Sequence, residues 1–434
     1  MAKKLWHNLL RSSGKKYYIR GTSSNVGGTE TFNIQFIDDD AVRPSATETI
    51  TCDVDANGNW GVEYSDKKIY SLYQFAKNNN NILTIEFTEE LSLLTTLRET
   101  FMSCSHLTDV EFTNATFASL GSLLNAFYGC SRLTNVNFNH ATFANVGSAN
   151  DAFRSCIVLT SIDFTNATFE NLSSAYDMFY LCYALTTIDL SNATFSNLTN
   201  AVNMFARCES LVTLDLHSAT FGKIPSVNGM FAQCKLLQSI DLSSATFAEV
   251  TDGRNMFYND NALTTITWSQ NLNFNKVTRV DGKQNVGIAM FQGCSALTSI
   301  DFGNQQFAAL TNADSWFSGC TSLVSIDLGS ASFASVTNCS GTFSSQTAMT
   351  TLNVPQNSTA IVPTSTPTAG KMDLHSSPLT YASMLKVANW LSDLSGQTAH
   401  TCTFKTSAWN ALSSAEQTEI DAILSAKNWT RAIA

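Results

Sequence analysis

Charged side chains are scarce in this sequence. Asp, Glu, Lys and Arg make up 14% of its 434 residues, and the net charge is −10. Soluble proteins usually carry about 25% charged residues. The 35 acids outnumber the 25 lysines and arginines, whereas a surface that binds nucleic-acid phosphates needs clustered cations. We therefore expect no nucleic-acid partner.

Long hydrophobic runs are absent as well. No stretch approaches 18 uninterrupted apolar residues, and the apolar segment nearest the N-terminus, Leu5–Leu10, is interrupted by His7 and Asn8. The sequence therefore predicts no signal peptide and no insertion into a membrane.

Motifs for catalysis are also missing. The sequence contains no G-x-S-x-G, H-E-x-x-H, P-loop or dinucleotide-binding pattern and no C-x-x-C pair, and its six histidines are scattered. We therefore expect no enzymatic activity, no cofactor and no bound metal.

What the sequence does contain is a repeat of 26 residues. Most units read F-x-x-C-x-x-L-x-x-[IVL]-x-[FLW], and most copies continue with x-x-A-T-F-x-x-[LVI]. A weaker copy begins at Phe75, and an eight-residue insertion precedes the last three copies. The period is marked by Phe101, Phe127, Phe153, Phe179, Phe205, Phe231, Phe257, Phe291, Phe317 and Phe343. A fixed period of this length is typical of a solenoid.

Hydrophobicity within a unit predicts one short strand and one short helix. Ile162 and Phe164 alternate with polar residues, which is typical of a strand with one buried face. Met178 and Cys182 lie at helical spacing. The prediction is an α/β solenoid of about ten units, with the strands stacked in one parallel sheet and Ile162, Ile188 and Leu214 on adjacent strands.

The repeat resembles the BspA-type leucine-rich repeat of bacterial surface proteins. The string M-F-x-x-C-x-x-L-x-x-[IL]-D-L-S is almost intact from Met204 to Leu216 and from Met230 to Ser243. The resemblance covers about 280 residues and implies a leucine-rich repeat fold. It also implies a function in adhesion or in binding a host or matrix, because that family is broadly associated with both.

Small domains are expected at both ends. Residues 1–74 form a basic N-terminal arm, interpreted as a solvated tail or a docking arm, and a small β-domain with strands at Tyr17–Arg20, Thr31–Ile37, Glu48–Val54 and Trp60–Tyr64. Residues 75–354 form the solenoid and 355–370 a linker. Residues 371–434 form a β-α-β-α module of the α+β class.

Two helix starts are visible in the C-terminal module. Ser377 and Pro378 begin the first predicted helix, which ends near Gly396, and a capping box formed by Ser413 and Glu416 begins the second. The module resembles a terminal module of bacteriophage tail proteins through Leu412 and a closing Lys-x-Trp at Lys427 and Trp429.

Eight of the eleven cysteines share one position in the repeat. Metal binding and redox chemistry are the functional alternatives, but without a second cysteine or histidine at ligand spacing we interpret these residues as small buried hydrophobes with free thiols. They are Cys104, Cys130, Cys156, Cys182, Cys208, Cys234, Cys294 and Cys320.

The candidate binding site is the outward strand face. It carries a row of acids, and residues 101–354 hold 17 acids against 9 bases. Such a face is either simply solvated or binds a cation or sugar hydroxyls. The candidate ligand-binding residues are Asp163, Asp189, Asp215, Asp241, Thr187, Thr213 and His217.

Three functions are compatible with these features. The favoured one is a non-enzymatic virion protein on the surface of a bacteriophage, a tail fibre or other appendage, which binds a host-surface glycan or protein and contacts other virion proteins through its terminal domains. A bacterial cell-surface adhesin is the alternative, and an enzyme is disfavoured. Formation of a homo-oligomer is left open.

Overall fold

The structure is a computed structural model of the 434-residue chain, and it divides into two compact units, Met1–Phe221 and Gly222–Ala434. The residues that it describes are 16–38, 44–65, 67–88, 91–112, 115–138, 142–162, 164, 168–190, 194–216, 220–221, 224–243, 250–268, 276–277, 290–302, 307, 309–329, 339, 341–355 and 371–434. The basic arm through residue 15, the region 356–370 predicted to be a linker, Asp163 and His217 therefore lie outside the description.

The N-terminal β-domain has the four predicted strands and one more. They are β1 (Lys16–Ser23), β2 (Thr29–Asp38), β3 (Glu48–Asp53), β4 (Asn59–Ser65) and the additional β5 (Lys67–Ser71). In β4 the buried residues Trp60, Val62 and Tyr64 alternate with more exposed ones, so one face packs on the core. Phe32 packs on Trp60 and Phe75, with ring centroids 4.5 and 4.6 Å away, respectively.

This β-domain is joined to the repeats by a shared sheet. Strand β1 pairs antiparallel with β4 on one side and with β6 (Ile82–Phe87) on the other. Strand β6 belongs to the weak repeat at Phe75, and it pairs in parallel with β7 (Asp109–Phe112), which pairs with β8 (Asn135–Asn137). The β-domain thus covers the exposed edge that the first repeat strand would otherwise present.

The repeats form the predicted parallel-stranded solenoid. Ile188 on β10 lies opposite Ile162 on one side and Leu214 on the other, which confirms the predicted register. Together with β6, β7 and β8, the repeat strands are β9 (Ser161–Ile162), β10 (Thr187–Asp189), β12 (Thr213–Asp215), β14 (Ser239–Leu242), β15 (Thr265–Trp268), β16 (Ser299–Asp301), β17 (Ser325–Asp327) and β18 (Thr351–Asn353). Two further short strands, β11 (Thr194–Phe195) and β13 (Thr220–Phe221), pair in parallel beside them.

The predicted helix is wrong wherever the structure describes this part of the repeat. Around Met178 and Phe179 the described backbone forms consecutive turns, because residues two before and two after the Phe adopt positive φ. Asp177 has φ of 52° and Leu181 of 66°. A right-handed helix cannot pass through a left-handed residue, so each turn stops after a few residues and hydrogen-bonds to its neighbour instead, as when Phe179 N donates to the Met204 carbonyl.

Phenylalanine rings fill the core of the first unit in stacked columns. Phe179 lies between Phe153 and Phe205, with centroids 5.5 Å away on each side and ring planes within 6° of parallel. A second column from the A-T-F segment places Phe169 5.5 Å from both Phe143 and Phe195. Because each ring packs mainly on the same residue of the next repeat, neighbouring turns stabilise one another.

The repeat cysteines are buried free thiols, as predicted, and all eight are fully inaccessible. They also join adjacent turns, which the sequence did not indicate. The Cys130 Sγ donates to the carbonyl of Phe101 at 3.0 Å, and Cys182 Sγ donates to that of Phe153 at 3.1 Å. Burial raises the pKa of the Cys182 thiol to about 12, so the thiol stays protonated and remains a donor at neutral pH.

Replacing Cys182 by serine should destabilise the protein by about 1–3 kcal/mol, because the shorter side chain leaves its hydroxyl poorly paired with the Phe153 carbonyl in an otherwise apolar site. Urea unfolding followed by circular dichroism measures the loss. Thiol labelling provides the companion test: the native protein should label little and the denatured protein at all eleven cysteines. Rapid labelling of the native repeats would contradict the buried assignment.

The C-terminal module contains a three-stranded parallel sheet. Its elements are β19 (Lys371–Leu374), α1 (Tyr381–Trp390), β20 (His400–Phe404), α2 (Thr406–Asn410), α3 (Ser414–Ala426) and β21 (Trp429–Ile433). The capping box of Ser413 and Glu416 is confirmed. The predicted helix start at Ser377 is wrong: Thr380 is the N-cap, and its hydroxyl accepts from Ser383 N. Strand β21 was not predicted.

Helix α1 connects this module to the last repeat. Ser383 Oγ accepts a hydrogen bond from Leu352 N at 3.1 Å, and Thr380 N donates to the Thr350 carbonyl at 3.0 Å. The module therefore covers the open edge of β18, as the N-terminal domain covers that of β6.

The closing Lys-x-Trp has a structural role. Lys427 Nζ donates to the carbonyls of Ala388, Asn389 and Leu391, which lie at the C-terminus of α1. Trp429 Nε1 donates to the carbonyl of Ser392. A cation at this end of a helix satisfies carbonyls that have no partner within the helix. The short motif therefore fixes helix α1, independently of what the module binds.

Among the helices that the structure describes, none is long and apolar enough to cross a membrane.

Candidate functional site

The candidate site is the outer strand face, defined as the strand residues whose positions alternate with the buried ones. Strand pairing places Thr187 opposite Thr213 in parallel register, and both side chains are exposed. The next residue along each strand points inward: Ile188 and Leu214 are each only 4% exposed. The pleat therefore separates a polar row outside from the core inside.

The predicted ligand-binding residues are only partly visible. The backbones of Asp189 and Asp215 are paired directly, but their side chains are outside the description, as are all atoms of Asp163 and His217. Asp241 lies in the second unit, is exposed, and accepts a hydrogen bond from Ser243 N at 2.8 Å. The structure thus places Thr187 and Thr213 together, and Asp241 in a different compact unit.

At the N-terminal end of this face, carboxylates on adjacent strands each have a hydrogen-bond donor. Glu86 and Glu111 are direct neighbours on β6 and β7. Arg20 on β1 donates from Nε and Nη2 to the two carboxylate oxygens of Glu86, at 2.8 and 3.0 Å. Asn137 Nδ2 donates to Glu111 at 2.8 Å. The hydrogen bond with Glu86 raises the pKa of Arg20, so this cation is permanent.

The second unit shows the same arrangement at its C-terminal end. Asp301 and Asp327 are paired on β16 and β17, and Asn353 on β18 follows Asp327. Asn353 Nδ2 donates to Asp327 at 3.2 Å, and its Oδ1 accepts from Lys386 Nζ of helix α1 at 2.7 Å. The row of acids therefore ends at Asn353, which binds Lys386 of the terminal module.

Sequence reasoning missed both terminal cations. The sequence prediction places Arg20 at the end of the strand Tyr17–Arg20 without a role on the outer face, and it gives no role to Lys386. The signal that could have found Arg20 is the alternation of Tyr18, Arg20 and Thr22 with buried Ile19 along the predicted first strand. Lys386 becomes part of the face only because α1 packs on β18, and sequence periodicity does not predict that contact.

The chemistry of this face is hydrogen bonding. It presents carboxylates, amides and hydroxyls at the spacing of adjacent strands, which is about 4.8 Å. Within the described part of the chain, no group of three or more His, Cys, Asp or Glu side chains could hold a metal ion.

A stack of short parallel strands, one per repeat of 26 residues, with a Cys at one fixed position in eight of the ten copies and a Leu at another in nine, defines the class of leucine-rich repeat proteins. The family model for the BspA type leucine rich repeat region matches residues 64–149, 94–226, 149–279 and 269–365. These matches cover more than half of the sequence. The chain therefore belongs to the BspA type leucine-rich repeat family.

Solved structures with detectable similarity include two bacterial proteins. A leucine rich cell surface protein from Faecalibacterium prausnitzii is 21% identical, with 67% of this chain and 84% of that chain covered and a TM-score of 0.31. A leucine-rich repeat protein from Eubacterium ventriosum is 13% identical, with 77% and 87% covered and a TM-score of 0.26. TLR13, solved with ssRNA13, is 16% identical, with 72% and 49% covered and a TM-score of 0.29. No curated protein matches the chain.

Proposed function

We propose that this chain is a non-enzymatic recognition protein whose outer strand face binds a ligand on a bacterial surface. The observation that carries the proposal is the in-register exposure of identical polar residues on adjacent strands, such as Thr187 and Thr213. Repetition of one chemical group at a fixed spacing suits a repetitive polymer, and a surface glycan is the ligand that we favour. Membership of a repeat family found in surface proteins supports the same function.

The finer proposal is that the protein acts on the surface of a bacteriophage virion, as a tail fibre or another appendage. Its support is the resemblance of the C-terminal module to a module of phage tail proteins. In this proposal the terminal domains contact other virion proteins, and several copies on one particle increase the avidity of weak single contacts. A bacterial cell-surface adhesin is the alternative, favoured by the family match. Neighbouring genes separate the two: genes for capsid, portal or tail proteins support the virion, and their absence supports the adhesin.

The test of recognition is binding of fluorescently labelled, purified chain to a panel of bacterial cells. Thr187→Lys combined with Thr213→Lys should reduce cell binding about tenfold or more, because two long cations would cover the polar row without entering the core. Both side chains are exposed, so folding should be retained.

The control for this experiment is Ile157→Lys combined with Val158→Lys. These residues are also exposed, 39% and 37%, and lie before strand β9 rather than in a strand. The control adds the same charge and should leave binding unchanged. Equal binding by both double variants would show that the outer strand face of these repeats is only solvated.

A further inference from the structure

A groove crosses the outer face where the N-terminal domain meets the first repeats. Its volume is about 660 Å³, within the usual range for small-ligand sites. Its lining extends from the turn before β4, across β1 and β6, to β7, and includes Asp55, Asn59, Thr22, Thr84 and Asp109. All of these elements belong to the same compact unit and to one hydrogen-bonded sheet or its connecting turn, so the groove is built on paired strands.

The charge of the lining excludes anionic ligands. Arg20 is the single cation among the described residues that line the groove, and it is bound by Glu86. Asp55, Asp109 and Glu111 add three further carboxylates. A phosphate, sulfate or acidic sugar would therefore meet a net negative groove.

The carboxylates are also poorly arranged to hold a bare cation, because most of them already have donors. Asp55 accepts from Asn57 N, Asn59 N and Asn59 Nδ2, which lowers its pKa and fixes the turn. Glu111 accepts from Asn137. Asp109 is the exception: its side chain has no hydrogen-bond or ion-pair partner among the residues that the structure describes.

The remaining groups suit a ligand that both donates and accepts. The Thr22 and Thr84 hydroxyls lie 2.9 Å apart in the middle of the groove, and either can be the donor. The Arg20 side chain is 47% exposed although it is ion-paired, so part of its guanidinium is available to a ligand. The vicinal hydroxyl groups of a sugar both donate and accept hydrogen bonds. They therefore pair well with fixed carboxylates, with hydroxyls and with a guanidinium.

We infer that this groove binds a neutral oligosaccharide, with Asp109 as a principal acceptor of its hydroxyl groups. The inference rests on the proposed function, because it names the chemistry of the surface ligand and places its best-formed subsite at the first repeats. The polar row at Thr187 and Thr213 then provides a weaker, repeated contact for a longer chain of the same sugar.

The experiment uses the full chain on an array of immobilised neutral, amino and acidic oligosaccharides, followed by titration calorimetry with the best soluble one. We expect binding to at least one neutral oligosaccharide and none to the sulfated or carboxylated ones. Asp109→Ala should weaken that binding about tenfold to a hundredfold, which corresponds to the loss of a hydrogen bond to a charged group. Asp109→Trp, which fills the groove, should abolish it.

The matched control is Asn135→Ala. Asn135 lies directly opposite Asp109 on the next strand, is exposed, and does not line the groove. This variant should bind within about twofold of the wild type. Absence of binding to every neutral oligosaccharide, preference for acidic ones, or equal effects of Asp109→Ala and Asn135→Ala would overturn the inference.

The two proposals fail in different ways. If Thr187→Lys with Thr213→Lys reduces cell binding while no neutral oligosaccharide binds, oligosaccharide binding in the groove is refuted and the proposed recognition function stands. If an oligosaccharide binds in the groove but neither that double variant nor Asp109→Ala changes cell binding, the groove is confirmed as a sugar site and the proposed recognition function is refuted.

Discussion

Replacing Asp260 by cysteine is expected to stabilise the second unit and to remove a dependence of its stability on pH. Asp260 occupies the cysteine position of its repeat and is fully buried. One carboxylate oxygen, Oδ1, accepts from Cys234 N at 2.8 Å. The other, Oδ2, is buried and has no hydrogen-bond partner among the described residues. Burial raises the pKa of this carboxyl well above its ordinary value.

The cysteine positions explain how a neutral Asp260 fits. Repeat thiols donate to the Phe carbonyl 29 residues earlier, as Cys320 does to Phe291 at 3.1 Å. The corresponding carbonyl for Asp260 is that of Phe231, and only a protonated Oδ2 could donate to it. Among the described residues, the thiol of Cys294 interacts electrostatically with Asp260, and this thiol is buried.

The direction of the pH effect follows from the raised pKa. Above about pH 4 the unfolded state releases this proton and the folded state keeps it, so stability falls as pH rises toward the folded pKa, by about 1.4 kcal/mol per pH unit. Urea unfolding of wild type, Asp260→Cys and Asp260→Asn between pH 4.5 and 8 measures the slope of the free energy of unfolding against pH. Both variants should lose the part of this pH dependence that Asp260 causes. An unchanged slope in Asp260→Cys would show that Asp260 does not cause it.

Replacing Phe179 by alanine is expected to be the most damaging single change in the first unit. The ring is fully buried, stacks on Phe153 and Phe205, and contacts Phe164 edge-on at 6.3 Å. Removing a buried Phe side chain costs about 3–5 kcal/mol, because it loses apolar contacts and leaves a cavity. Thermal and urea unfolding measure the loss.

Phe179→Leu is the matched control for that variant. It keeps most of the buried volume and loses the aromatic stacking, so its cost should be no more than about half that of Phe179→Ala. A loss below about 1 kcal/mol for Phe179→Ala would show that the stacked column does not hold neighbouring turns together.

The strands could be predicted from the sequence of one repeat, but the turns between them could be recognised only by comparing repeats, because residues that favour positive φ occupy the turn positions in other copies, as Asn125 and Gly129 do. Ile188 and Leu214 recur every 26 residues between polar neighbours, and this spacing alone fixes their parallel register. The apolar spacing of Met178 and Cys182 equally fits a helix. Within this one repeat, only the backbone shows that Asp177 and Leu181 have positive φ, and a leucine there gives no sequence signal of that conformation.

The candidate site was less predictable than the fold. Alternation along a strand identifies which residues face outward, so Thr187 and Thr213 were found. Arg20 reaches the face because β1 pairs with β6, and Lys386 because α1 packs on β18. Both contacts join segments far apart in sequence, and no periodicity within either segment encodes them. For the same reason the groove at Asp109 was not predicted.

Carboxylate footprinting on the bound protein tests the central claim most directly. The purified chain would be labelled with a carbodiimide and an amine, free and bound to bacterial cells, and each acid would be quantified by mass spectrometry. Recognition through the outer strand face predicts protection of Glu111, Asp241 and Asp301, with unchanged labelling of Glu419 and Asp421 in the C-terminal module. Protection of Glu419 and Asp421 alone would contradict the account and leave the solenoid as a spacer.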